Sequence, residues 1–355
     1  MDILKPDLMW IEGRCYRLNI EDSSFRGEED EQFADDGFAE GNSDCPVEEL
    51  GESFEIETTE DGRYRASLLI PRYYFARVVG SKGAVRRRLE NETKTQIHVP
   101  RQGQDGCIVI IGSTKSMVSA AGRRINLIVM SARQKQQFTH FLSIPMVGDS
   151  IKKRFMIFKE EVLDICKNSH GIDASIFQVP EKLHLTLGTL VIMDTNDREK
   201  AARTLAECKE SIITPLLKNR ALVVCMAGVE YMNDDPAEVD VLYGKVHVKD
   251  GSRMLQEVAD GVIDHFCSKG LMEKRYERVK LHVTLMNTLF RSDDAESEMS
   301  RRKQKHRETF DATNILKNFE DYDFGEQTID SIHLSLRFST SASGFYQVTA
   351  DVSFT

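Results

Sequence analysis

The sequence predicts an α+β chain in two folded parts, on three observations. Residues 61–135 read as β-α-α-β-β-α. Residues 136–355 write a strand-helix-strand unit twice, and each copy ends on the same string, Lys-Leu-His-x-Thr-Leu. Residues 21–60, ahead of both, have a composition from which no core can be built. The length of 355 residues allows two cores. Hydrophobic residues at 41% and charged residues at 29% are the proportions of a soluble globular protein.

In chain order, residues 1–20 come first, apolar and charge-balanced but too few to form a core. Packing on the next domain and docking to a partner are both open for them. Residues 21–60 hold sixteen acidic residues and one basic, a net of −15, and are expected to be disordered. The opening, "MDILKPDLMW", carries acidic residues and no long apolar stretch, so it is not a secretory signal. The longest apolar runs are of strand length, so no membrane span is expected. The seven cysteines (Cys15, Cys45, Cys107, Cys166, Cys208, Cys225 and Cys267) are scattered, with no Cys-x-x-Cys pair. That usage fits free thiols in a reducing compartment, cytosol or nucleus. No cluster has metal-ligand spacing, and neither a metal nor another cofactor is expected.

Residues 61–135 hold fifteen basic residues and four acidic, a net of +11. Cations concentrated in one short domain are the footprint of a polyanion partner. "RYRASLLI" (63–70) reads as a strand, and Phe75–Val79 closes a short helix. Then comes Gly80-Ser81-Lys82-Gly83, followed by a run of helix formers with Val85 and Leu89 one turn apart. "TQIHV" alternates as a strand, "CIVIIG" (107–112) reads as another, and 114–135 reads as a helix. A second Gly-x-x-Gly at Gly103–Gly106 lacks such flanks and marks a hairpin turn. Two glycines let backbone N–H groups approach phosphates, and the N-terminus of the following helix favours negative charge. Lys82, Arg86, Arg87 and Arg88 add cationic side chains.

This order, with Gly-x-x-Gly between the first two helices, resembles a KH domain of the eukaryotic type. The resemblance implies that Gly80, Ser81, Lys82, Gly83, Arg86, Arg87 and Arg88 hold the backbone of about four single-stranded nucleotides. One departure stands out: the generic motif places Ile three residues after the second glycine, and here stands Arg86.

Across 136–355, strand "THFLSIPMV" and helix 149–168 precede "EKLHLTLGTL". Strand "VDVLYGKVHV" and helix 252–269 precede "VKLHVTLMNT", 98 residues on. Side chains alternate along a strand, so His184 and Thr186 share one face while Leu185 and Leu187 face the core. His282 and Thr284 repeat this, with Val283 and Leu285 opposite. The looser match "HLSL" at His333 has no such lead-in and is expected to be chance. A duplication with one His-x-Thr per half resembles the 2H phosphodiesterase superfamily. That resemblance implies two pseudo-symmetric β-sheet lobes flanked by helices, with His184, Thr186, His282 and Thr284 converging on one phosphate. One neutral imidazole would take a proton from the attacking oxygen and one charged imidazole would give a proton to the leaving oxygen. Threonine hydroxyls would bond the non-bridging oxygens.

The opening residues, 226–252 and 280–291 extend the resemblance over nearly the full length. It is a resemblance to one subunit of a nuclear complex that contains a DNA helicase and serves transcriptional coactivation and alkylation-damage repair. The expected partners are single-stranded RNA or, alternatively, single-stranded DNA, together with the helicase and other subunits, and no membrane. The residues leave two functions open: metal-independent phosphoester chemistry on RNA, and a non-catalytic adaptor whose cleft only binds a phosphate ligand. Arg301–Arg307 reads as a basic loop, Tyr243 as a core or rim tyrosine or a base-stacking ring, and Asp194 to Asp197 as a turn with a helix cap.

Overall fold

The computed structural model describes residues 8–11, 14–17, 54–101, 104, 106–218, 220–274, 276–291 and 307–354. The chain divides into two compact units, Met1–Gln137 and Phe138–Thr355.

In the first unit, β1 (Leu8–Ile11) and β2 (Arg14–Arg17) pair antiparallel as a hairpin. Then follow β3 (Ile56–Thr58), β4 (Tyr64–Leu68), α1 (Phe75–Val79), α2 (Ala84–Thr93), β5 (Thr95–His98), β6 (Ile108–Gly112) and α3 (Lys115–Gln134). The four strands form one antiparallel sheet in the order β3-β4-β6-β5. One face of it, carrying Ala66, Leu68, Ile97, Ile108 and Ile110, is buried with Val78, Leu89, Val118 and Ile125 of the three helices. The Thr114 hydroxyl caps α3 by accepting from the Met117 N–H. Strand β3 corrects one expectation. The acidic tract was expected to be disordered through residue 60, yet Ile56–Thr58 pairs with β4. The reason is local: Phe54 and Ile56 alternate with exposed acids, and the Phe54 ring lies against Gly122 of α3, where a Cβ would collide with it. Residues 21–53 of the tract lie outside the described residues, as do most of the Gly103–Gly106 turn and Arg301–His306 of the basic loop.

The second unit runs β7 (His140–Pro145), α4 (Asp149–Ile165), β8 (His184–Leu190), α5 (Thr195–Cys208), α6 (Thr214–Leu217), β9 (Leu222–Tyr231) and β10 (Val241–Val248). It continues with α7 (Met254–Ser268), β11 (His282–Asn287), α8 (Thr313–Phe319), β12 (Asp323–Ile329), β13 (Ser331–Leu336) and β14 (Val348–Ser353). Asp194 caps α5 through the Asp197 N–H at 2.8 Å, as its sequence implies. The eight strands are all antiparallel, in the order β12-β9-β10-β11-β8-β7-β13-β14. This is two four-stranded halves, and the seam between β11 and β8 holds a single register pair, Val283 with Leu185. The duplicated units β7-α4-β8 and β10-α7-β11 place their histidine strands side by side at that seam.

Packing compensates for the narrow seam. Helix α4 connects strands of one half but lies on β12 of the other, and α7, from the second half, touches both β10 and β8. Phe155, Phe158, Val258, Val262 and Phe266 of these helices are fully buried in a core shared with Leu185, Val283 and Leu285. Burying that much apolar side chain, roughly 1.5–3 kcal/mol per large residue, is what holds the halves as one body.

Candidate active site and nucleic-acid loop

At the seam, burial alternates as the strand period demands. Leu185, Leu187, Val283 and Leu285 are buried, while His184, Thr186, His282 and Thr284 are half-buried on the opposite face. Carrying the Val283–Leu185 pair one residue each way sets His184 against Thr284 and Thr186 against His282. The two histidines are then diagonal neighbours, roughly 7–8 Å apart at their backbones. The four predicted residues therefore share one patch.

Both imidazoles are held in the same way. His184 Nδ1 lies 2.7 Å from the Lys182 carbonyl oxygen, and His282 Nδ1 lies 2.7 Å from the Lys280 carbonyl oxygen. A carbonyl accepts only, so Nδ1 carries the proton and donates, which leaves Nε2 of each neutral ring as the acceptor. The hydroxyls of Thr186 and Thr284 bond no other protein group among the described residues.

The surroundings are less symmetric. His184 packs against Phe141 (5.1 Å between ring centres), Tyr346 (5.3 Å) and Phe345 (6.4 Å). His282 packs against Tyr243 at 5.3 Å. Burial pushes the His184 imidazole down to about 4; the Lys182 carbonyl opposes this, and the nearby His282 adds to it. Each motif lysine sits over the tyrosine of its own half, Lys182 Nζ at 4.9 Å from the Tyr346 ring and Lys280 Nζ at 4.8 Å from Tyr243. Lys182 also donates to the Ser339 carbonyl (3.2 Å) and the Thr340 hydroxyl (2.9 Å).

Tyr243 is a core residue, 2% exposed, and its phenol is raised by burial and by Glu230. His333 shares the face of the sheet with His184 but is separated from it by strand β7, being paired with Ser143. Its Nε2 bonds the Ser331 hydroxyl at 2.9 Å, and burial lowers its imidazole. Sequence reading passed over Lys182 and Lys280, although the repeat writes lysine at that position in both copies. It also passed over Tyr346, which no motif marks. Among the described residues no group of three or more His, Cys, Asp or Glu stands ready for a metal ion, and no helix is long and apolar enough to cross a membrane.

In the first unit, Gly80 and Gly83 adopt φ of +70° and +77°, and Lys82 between them adopts +50°. A Cβ on Gly80 would collide with Val85, while one on Gly83 would meet open space. The loop thus needs glycine at both positions for conformation and at the first for close packing as well. Ser81 and Lys82 are exposed, as are Arg87 and Arg88. Arg87 donates to the Lys82 carbonyl at 2.9 Å, bracing the loop from below. Arg86, standing where the generic motif has Ile, is half-buried beside Glu90 at 3.9 Å.

Comparison with known proteins finds a family for each unit. Residues 138–354 match the family described as AKAP7 2′5′ RNA ligase-like domain, and residues 65–127 match the KH domain family. The chain is 41% identical over 362 residues to activating signal cointegrator 1 complex subunit 1 of Mus musculus, covering 100% of each. Among solved structures, the first KH type I domain of human vigilin is 27% identical and covers 24% of this chain and 93% of its own, with a TM-score of 0.21. A crystal structure of a phosphoesterase is 12% identical and covers 61% of this chain and 98% of its own, with a TM-score of 0.37. The chain belongs to the family of activating signal cointegrator 1 complex subunit 1, a KH domain followed by an AKAP7-like 2H phosphoesterase domain.

Proposed function

We propose that the second unit cleaves phosphodiesters of RNA at the His184–His282 seam, and that the KH loop captures the single strand that presents them. The observation that carries this reading is the identical Nδ1 anchoring of two histidines that share one patch. Their backbone separation, roughly 7–8 Å, leaves room for a phosphate with a hydrogen bond of about 2.8 Å on either side. His184, neutral at pH 7 because of its burial, takes through Nε2 the proton of the attacking water or hydroxyl as the new P–O bond forms. His282, entering protonated, gives its Nε2 proton to the leaving oxygen as the old P–O bond breaks. The Thr186 and Thr284 hydroxyls donate to the non-bridging oxygens, whose charge grows in the transition state.

Lys82 and Arg88, exposed beside the Gly80–Gly83 turn, meet the phosphates of a single strand of RNA, or of DNA in the alternative reading. The resemblance to the mouse subunit further supports a nuclear protein in the activating signal cointegrator 1 complex. There it would work with the helicase and other subunits in transcriptional coactivation and alkylation-damage repair.

The test is a screen of the purified chain against RNAs with 2′,3′-cyclic phosphate, 3′-phosphate and 2′,5′-linked ends. Turnover by the wild type is expected, with His184→Ala and His282→Ala each losing about a hundred- to ten-thousand-fold and His333→Ala nearly unchanged. Binding without turnover of any of these would favour the adaptor reading.

A further inference from the structure

Phe338 combines two properties that a side chain in a packing role does not combine. It is 80% exposed, and its backbone is held at φ +55°, a conformation that an L-residue with a bulky ring avoids. The loop that imposes this is well tied. The Arg337 N–H bonds the Thr139 carbonyl at 2.9 Å, the Ser339 hydroxyl accepts from the Gln347 N–H at 2.9 Å, and Lys182, two residues before His184, holds Ser339 and Thr340.

The ring of Phe338 is also not alone. The Arg337 guanidinium lies over both neighbouring phenyl rings, 4.2 Å from the centre of Phe338 and 4.0 Å from that of Phe138. Phe138 meets Phe141 edge-on at 6.5 Å, and Phe141 meets His184 at 5.1 Å. A continuous row of flat side chains thus leads from the seam histidine to an exposed aromatic ring backed by a cation.

We infer that the row ending at Phe338 is a stacking platform for a nucleobase of a single-stranded RNA whose phosphate lies at the seam. This rests on the phosphodiester reading of the seam and specifies its substrate as a strand longer than one nucleotide. Every base has a π-face, so an exposed ring over a guanidinium holds bases without regard to sequence. Continuity with the histidine and the cation behind the ring favour nucleic acid over a protein segment. A protein segment would need an apolar groove rather than one raised ring. Because Phe141, Phe138 and Arg337 intervene, the base on Phe338 belongs to a nucleotide beyond the one that carries the reacting phosphate.

The experiment uses the full chain with Ser81→Asp and Lys82→Asp, so that the KH loop does not mask the second unit. Its probes are an RNA octamer and a dinucleotide, each ending in a 2′,3′-cyclic phosphate. Phe338→Ala is expected to weaken octamer binding about tenfold, leave the dinucleotide unaffected, and be rescued by Phe338→Tyr. Weakened octamer binding without turnover of either probe supports the platform and removes the catalytic reading. Octamer binding that is the same with and without Phe338→Ala overturns the platform, and turnover that still needs both seam histidines would leave the catalytic reading standing. Phe338 would then be a protein contact.

Discussion

His184 should titrate far below an ordinary histidine, and the protein should feel it as acid lability. The ring packs among Phe141, Phe345 and Tyr346 with no carboxylate partner among the described residues, so burial disfavours its charged form. In the unfolded chain the same side chain titrates near 6.5. Between about 4 and about 6.5 the unfolded state binds a proton that the folded state refuses, so stability rises with pH across that window. It is complete above 6.5 and is lost as pH falls toward 4. Linkage with these two values gives almost no effect at pH 7, about 2 kcal/mol of destabilisation at pH 5, and about 3 kcal/mol below pH 4. Burial also lowers His140 and His333, which add losses of the same sign.

The assay therefore compares wild type with His184→Gln, which cannot take up a proton. The only tryptophan, Trp10, lies outside the second unit, so its fluorescence is a poor reporter. Denaturant unfolding read by hydrogen exchange in peptides of β7 and β8 reports the unit directly, and imidazole carbon shifts of labelled histidine give the titration itself. Wild type should lose about 2 kcal/mol more than His184→Gln between pH 7 and pH 5. An equal pH dependence for the two proteins, or a His184 titration at 6.5 or above, would refute the burial argument and the assignment of His184 as base.

Three further outcomes concern the first unit. Ser81→Asp with Lys82→Asp, on the exposed tip of the Gly80–Gly83 turn, should weaken single-strand binding by a few kcal/mol in a folded protein, measured by fluorescence anisotropy. Gly80→Ala should destabilise by roughly 1–3 kcal/mol and more than Gly83→Ala in thermal melts, because only the first Cβ collides with Val85. Deleting residues 21–53, upstream of β3 and rich in acid, should tighten RNA binding at low salt, with the gain fading as ionic strength rises. Equal affinity at low salt would make the tract a passive spacer.

The parts that were legible in the sequence are those governed by short-range periodicity. The alternation at Leu185/His184 and Val283/His282 put the right side chains on the right faces, and the lead-in strands and helices identified the duplication. Strand β3 was missed because acidic composition outweighed two alternating aromatic and aliphatic residues, Phe54 and Ile56, and what holds them is tertiary: Ile56 pairs with β4 and the Phe54 ring lies against α3. Nor could sequence show that the halves meet through one register pair while exchanging helices, since α4 lies on β12 some 160 residues away. Tyr346 and Phe345 belong to no motif, and only the fold brings them to His184.

Those two aromatic residues bear on how a duplicated motif can acquire two different chemical roles. Duplication makes the geometry equal: the same carbonyl two residues back holds each Nδ1, and a lysine sits over a tyrosine in each half. Equal geometry alone would give two interchangeable imidazoles and no reason for one to be neutral while the other is charged. The connection between β13 and β14 breaks the tie. It lays Phe345 and Tyr346 against His184, whereas His282 has the Tyr243 ring and an exposed lysine stem beside it. A charge is therefore disfavoured at His184 by burial, and a charge on the nearby His282 disfavours it further. The asymmetry between the two imidazoles comes from the C-terminal connection and not from the repeated strings. Replacing Tyr346 by a smaller residue should thus let His184 titrate closer to its ordinary value while leaving both Nδ1 anchors in place.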